Sequence, residues 1–180
     1  MNARDRFNSW MSVIDAQDNS DNIKYFYAFF GAWAPFNALY SEDSQIHDFR
    51  SKMSERDRVV SFAHRDAFGD LHLKLIENGE YREQVEFFVN RRPDEPPWLG
   101  SNCKGLKANV WNLDETHKDK VKKQGICKDM KDLEGLLGCI YVVRCNLFHG
   151  SKAVGYEDDV RVVRAGFVIL SSLLKCLANS

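Results

Sequence analysis

With 180 residues, 44% of them apolar types, the chain has the size of one domain and enough hydrophobic material for a real core. A formal net charge of −1 excludes any argument for nucleic acid from the field of the whole molecule, so an anionic partner must be held by a local basic patch. Five cysteines, an odd number without a CxxC pair, exclude a fully paired disulfide scaffold and read as reduced, mostly buried thiols.

From the N-terminus, Phe7, Trp10, Met11 and Ile14 recur at helical spacing and predict an amphipathic helix over 4–16, followed by a polar break at Asp18 to Asn22. A helix over about 23–40 is apolar on nearly every face (Tyr25, Phe26, Phe29, Phe30, Trp33, Phe36, Leu39, Tyr40), which predicts a central, buried element. Pro35 inside it should bend it or mark a joint between two pieces. Residues 46–65 read as a polar helix with Ile46, Phe49, Met53, Val59, Val60 and Phe62 inward. Two shorter amphipathic stretches, 71–76 and 81–89, are separated by a natural helix stop at Asn78-Gly79.

The periodicity then fails. Residues 91–127 hold three of the four prolines and read as a loop-rich insertion within a single domain spanning 1–180. Within residues 101–131, eight lysines face four carboxylates, either a solvated surface segment or a phosphate-attracting flap. Helical spacing returns at Leu133, Leu136, Leu137, Ile140, Tyr141 and Val143, with Gly150 as its stop. Asp158 or Asp159 can cap a last helix running to about Ala178, with Val160, Val163, Phe167, Leu170, Leu174 and Leu177 inward. No strand pattern is present, so the fold class predicted is an all-α helical bundle. The N-terminus lacks the apolar core of a signal peptide, and the longest apolar run, Tyr25 to Tyr40, is broken and too short for a bilayer, so a cytoplasmic protein with no membrane partner is expected.

Chemistry concentrates at Tyr141-Val142-Val143-Arg144-Cys145-Asn146-Leu147-Phe148-His149-Gly150, where polar groups interrupt an otherwise buried helix. Arg and Asn are costly to bury without partners. Asn146 and His149 are three apart, roughly 60° around an ideal helix, whereas Arg144 and His149 are five apart, roughly 140°. Arg144 and His149 therefore converge only through the reach of the arginine, a distorted helix end, or a second copy of the segment. Histidine moves protons near neutrality, arginine offers a planar fork suited to phosphate, and Asn146 can orient the imidazole or contact a phosphate oxygen. A purely structural alternative pairs Arg144 with Asp15, Glu42 or another carboxylate and leaves His149 capping carbonyls.

The string Arg144-Cys145-Asn146-Leu147-Phe148-His149-Gly150-Ser151-Lys152 resembles the Arg-x4-His signature of the HEPN superfamily, whose members often read R-N-N-L-F-H-G-G-K here. Ala32-Trp33-Ala34-Pro35-Phe36-Asn37-Ala38-Leu39-Tyr40 is similar to the aromatic helix near the start of many members, where W-x-x-F-N-x-L-Y recurs. The resemblance implies a dimerising helical bundle in which two such segments face one another across a cleft. It also implies metal-independent cleavage of RNA in a defence or toxin–antitoxin setting, leaving 2′,3′-cyclic phosphate and 5′-hydroxyl ends. On that resemblance His149 transfers protons, Arg144 contacts the phosphate and transition state, and Asn146 supports them. Lys152 and Asn37 are candidate substrate contacts, and Trp33 shares the reach of Asn37.

Two positions depart from the family pattern. Cys145 stands where active members usually carry Asn, Asp or His, and Ser151 replaces the tyrosine of the toxin subgroup. The alternative reading is a catalytically inactive module of the same type that binds RNA, a nucleotide or a protein partner. A third is a helical dimerisation domain without a ligand, which predicts Arg144 paired to a buried carboxylate. His47, His64, His72 and His117 have no ligand spacing and read as surface residues, and a zinc site from Cys103, Cys127 and a histidine fits no common pattern, so neither metal nor cofactor is expected. No Gly-rich phosphate loop, nucleophile elbow or HExxH motif occurs.

Overall fold

The computed structural model describes residues 23–42, 53–90, 127–148 and 157–179. These form six α-helices: α1 (Ile23–Glu42), α2 (Glu55–Ser61), α3 (Asp66–Leu75), α4 (Gly79–Val89), α5 (Leu133–Phe148) and α6 (Glu157–Ala178), with a 3-10 turn at Phe62–His64. No strand occurs among the described residues, and the all-α bundle is as the sequence predicts. The helix expected over 4–16 and the insertion at 91–126 lie outside the described residues.

Helix α1 runs along α6 in the most extensive helix pairing, while α4 and α3 pack on α6 and α2 packs on α5. One aromatic cluster joins the layers: Phe36 lies 5.4 Å from both Trp33 and Tyr40, 5.6 Å from Phe62 and 6.3 Å from Phe68. The first three contacts are edge-to-face and the Phe68 contact is stacked, and ring pairs of both kinds add to the burial of the rings. Pro35 does not divide α1, which is continuous on both sides of it. The residue four before it is Gly31, whose carbonyl loses the N–H that proline lacks.

Helix α1 is less enclosed than its composition predicts. Phe26, Phe29, Trp33, Phe36 and Tyr40 are buried, but Tyr27, Ala34 and Asn37 are exposed and Phe30 is half-buried. Their helical spacing makes them one stripe that the described helices leave open.

Where α1 and α6 cross, a Cβ built on Gly166 would stand 2.8 Å from Cε2 of Phe29, a ring buried at 0% exposure. The absent side chain sets the approach of the two helices. Gly166→Ala therefore overpacks this crossing and is expected to lower stability by about 1–3 kcal/mol despite alanine's better helix propensity. A denaturation midpoint at or above wild type would show that Phe29 can move aside.

Helix boundaries follow local chemistry. Ser54 caps α2, its hydroxyl accepting from Asp57 N–H at 3.2 Å; of the helix expected over 46–65, the part at 46–52 lies outside the described residues and the rest is helical from Glu55 to Ser61, ahead of the 3-10 turn. Asn78 is not simply a stop: its Oδ1 accepts from the N–H groups of Glu80 and Tyr81, capping α4, which starts at Gly79. Asp132 Oδ1 accepts from Gly135 N–H at 2.8 Å and caps α5. Helix α6 begins at Glu157, so Asp158 and Asp159 sit in its first turn, where their charge favours the dipole, and not at the cap. Its buried face includes all six expected positions at least in part, and extends to Val162, Ala165, Ile169 and Leu173.

His72 overturns its reading as a surface residue, since it is 1% exposed. Its Nε2 lies 2.9 Å from the Met130 carbonyl, which can only accept, so Nε2 carries a proton and donates. Nδ1 then accepts from the Tyr81 hydroxyl at 2.7 Å. The neutral ring is thus fully bonded and ties α3 and α4 to the turn that leads into α5. Burial holds the His72 pKa below its usual value of 6.5, against smaller opposing effects of the Met130 carbonyl and Asp132. Its unfolded form takes up a proton first, so its contribution to stability is complete above about pH 6.5 and falls as pH drops towards the lowered native value. Stability measured between pH 8 and 5 should decline on the acid side, and His72→Gln should flatten that part of the curve; an unchanged slope would remove His72 as the cause.

Candidate functional site

The last two turns of α5 alternate between the core and an aromatic surface. Val143 and Asn146, three apart on the helix, are buried. Asn146 Nδ2 is enclosed without a hydrogen-bond partner. Arg144 and Phe148 are four apart and lie along one another, the guanidinium 4.4 Å from the ring centroid. Trp33 of α1, at 5.8 Å, and Tyr141, at 5.9 Å, bound the same guanidinium. Three electron-rich ring faces around one cation favour it electrostatically while shielding it from water.

The fourth side of Arg144 is Glu55, the first residue of α2. Arg144 Nη2 donates to Glu55 Oε1 at 3.1 Å, with the two side chains 23% and 29% exposed. The Tyr40 hydroxyl donates to the same oxygen at 3.0 Å, and the Tyr141 hydroxyl reaches Oε2 at 3.5 Å. Burial first, and then the Glu55 charge, push the Tyr40 hydroxyl well above its usual range, so it stays protonated and donates. Burial likewise raises Tyr141, helped by Cys145 and Glu55. Glu55 itself opens α2 directly after the Ser54 cap.

Arg144 is not saturated by these contacts. Its Nε is buried without a partner, and Nη1 has only a 3.9 Å contact with the Cys145 sulfur. With Nη2 anchored on Glu55 and Nε enclosed, Nη1 is the nitrogen through which this half-buried arginine can receive an anion. Buried unpaired donors of this kind are destabilising on their own. Arg56, the neighbour of Glu55, has its pKa lowered by burial and lies close enough to feel Tyr141, Cys139 and Cys145.

Of the residues picked out in the sequence, the structure brings Arg144, Trp33 and Cys145 together and places Asn146 on the inward side of the same helix end. Asn37 is exposed on α1, where its Oδ1 accepts from the Ser41 hydroxyl at 3.4 Å. His149 and Lys152 lie outside the described residues, as do His47 and His117. His64 is exposed, 3.5 Å from Glu134.

Sequence reasoning missed Glu55, which plays the part foreseen for Asp15, Glu42 or another carboxylate, and the paired hydroxyls of Tyr40 and Tyr141. A capped helix start at Ser54-Glu55 was the available signal for Glu55, but nothing in it points to Arg144. Cys127 and Cys139 are buried, Cys145 and Cys176 half-buried, and none of these four is joined in a disulfide. Burial pushes the Cys139 thiol up to about 12, which makes it inert as a nucleophile. No group of three or more His, Cys, Asp or Glu side chains among the described residues could hold a metal ion. No helix among them is long and apolar enough to cross a membrane. Compared with known proteins, the chain matches no family model, no curated protein and no solved structure.

Proposed function

We propose that this protein is a metal-independent endoribonuclease of HEPN type, active as a homodimer, that cleaves RNA by general acid–base transphosphorylation. The observation that carries the reading is Arg144: a half-buried guanidinium, anchored through one nitrogen and walled by three rings, with N–H groups left over, five residues before His149. In the proposed reaction the RNA 2′-hydroxyl attacks the adjacent phosphorus, and the 5′-oxygen of the next nucleotide leaves. His149 moves the proton, Arg144 stabilises the charge that develops on the phosphoryl oxygens, and Asn146 supports them. Lys152 and Asn37 would contact the strand. A second copy is favoured by the apolar surface beside Arg144, where Phe148 is 58% exposed, Tyr27 is 48% exposed and Phe30 meets Phe148 at 5.2 Å. The proposed setting is cytoplasmic, with a cognate antitoxin or defence-system protein as a further partner.

End-group analysis of RNA cut in EDTA tests the chemistry. Transphosphorylation leaves 2′,3′-cyclic phosphate and 5′-hydroxyl ends. Products with 5′-phosphate, or cutting that requires a divalent ion, would contradict the mechanism.

The catalytically inactive binding module is favoured by one observation: Cys145 follows the arginine. It predicts RNA or partner binding by the folded protein without turnover. The pairing of Arg144 with Glu55 is a separate observation, and it favours the helical dimerisation domain without a ligand.

A further inference from the structure

Resting on the ribonuclease reading, we infer that Glu55 is a positioning residue: its carboxylate, steadied by Tyr40 and Tyr141, sets the angle at which Arg144 presents Nη1 to the scissile phosphate. The contact pattern is what separates this from a plain ion pair. An arginine that serves only to neutralise a carboxylate can offer two parallel N–H groups to its two oxygens. Here Glu55 takes one nitrogen of Arg144, and the Oε1 that receives it also receives the Tyr40 hydroxyl. Its second oxygen faces the Tyr141 hydroxyl. The guanidinium is fixed at one corner, Nε is enclosed by the protein, and Nη1, whose contact is the Cys145 sulfur at 3.9 Å, is the nitrogen with no oxygen partner that is left for a phosphate.

The carboxylate is itself built in. Glu55 opens α2 directly after the Ser54 cap, and its three donors come from α1 and α5. Three helices therefore converge on one side chain whose only reach into the candidate chemistry is through Arg144. A group held this firmly can set geometry to within the fraction of an ångström that phosphoryl chemistry demands.

The test is single-turnover RNA cleavage by Glu55→Gln, made alone and in an Arg144→Ala background, with fold and oligomeric state checked for each protein. Glutamine keeps the shape and loses the charge that orients the guanidinium. The single variant is expected to cut on the order of 10- to 100-fold more slowly, the scale of a small misplacement of a reacting group. Its RNA affinity should be unchanged or higher, since a negative charge beside a polyanion is gone. Added to Arg144→Ala, it should change the residual rate less than about twofold, because residues acting as a unit are not additive.

A wild-type rate per folded Glu55→Gln molecule, with only a lower melting temperature, would overturn the inference by making the role structural. Equal loss in both backgrounds would overturn it by making Glu55 act on RNA directly. Tyr40→Phe, which removes one hydroxyl from Glu55, should slow cleavage in the same direction and without effect in the Arg144→Ala background; it serves if Glu55→Gln does not fold. Absence of cleavage by the wild-type protein would overturn the ribonuclease reading and this inference together, whereas a cutting wild type with an unaffected Glu55→Gln overturns this inference alone.

Discussion

Phe36→Ala is expected to lower stability by about 3–5 kcal/mol, the usual result of emptying a fully buried aromatic site. Phe36 has no exposed surface and touches four other rings, two from its own helix and two from the α2–α3 region. Its loss leaves a cavity bounded by stiff rings, which cannot collapse without moving helices. Domains of this size have only about 5–15 kcal/mol in hand, so the variant should be close to the edge of folding. Two of the four neighbours, Trp33 and Tyr40, also bound Arg144 and Glu55, so the same substitution should loosen the candidate site. Denaturant titration measures it; a loss under about 1 kcal/mol would mean that the aromatic cluster is not the joint between layers described above.

On the proposed ribonuclease function, Arg144→Ala should reduce RNA cleavage by about 100- to 10,000-fold, the range expected when one preorganised group that stabilises transition-state charge is removed. The substitution also leaves Glu55 without its cation, so some loss of stability should accompany it, and rates must be compared per folded molecule. Arg144→Lys is the informative companion. Lysine keeps the charge but is a point donor that cannot hold Glu55 and a phosphate oxygen on one rigid plane, so it should recover only a small part of the rate. Steady-state kinetics on a defined RNA separates the two contributions. Full activity of Arg144→Lys would show that charge alone matters and that the planar fork does not.

The bundle was legible because its signal is local. Leu133, Leu136, Leu137, Ile140 and Val143 repeat at helical spacing and are all buried. Arg144 was legible for the opposite reason, as a charge that interrupts such a run. What periodicity cannot carry is the identity of a partner from elsewhere in the chain, and Glu55 is that case. It lies on a seven-residue helix whose own pattern is polar, and it meets Arg144 only because α2 packs on α5.

His72 shows the same limit from the other side. A histidine without ligand spacing reads as solvated, yet it lies four residues after the buried Phe68, and so on the inward face of α3. That spacing was the overlooked signal; Tyr81 and the Met130 carbonyl, which make its burial tolerable, come from other elements. The exposed stripe of α1 is a third instance, since a helix apolar on all sides does not reveal which side its neighbours leave uncovered.

The measurement that bears most directly on the proposed activity is cleavage of mixed RNAs in EDTA by wild-type protein and by His149→Ala, each confirmed as folded and sized in solution. The ribonuclease reading predicts cutting by a wild-type dimer and its loss in an equally folded, equally dimeric His149→Ala. Undiminished cutting by His149→Ala, or none by a folded wild-type dimer, would contradict it.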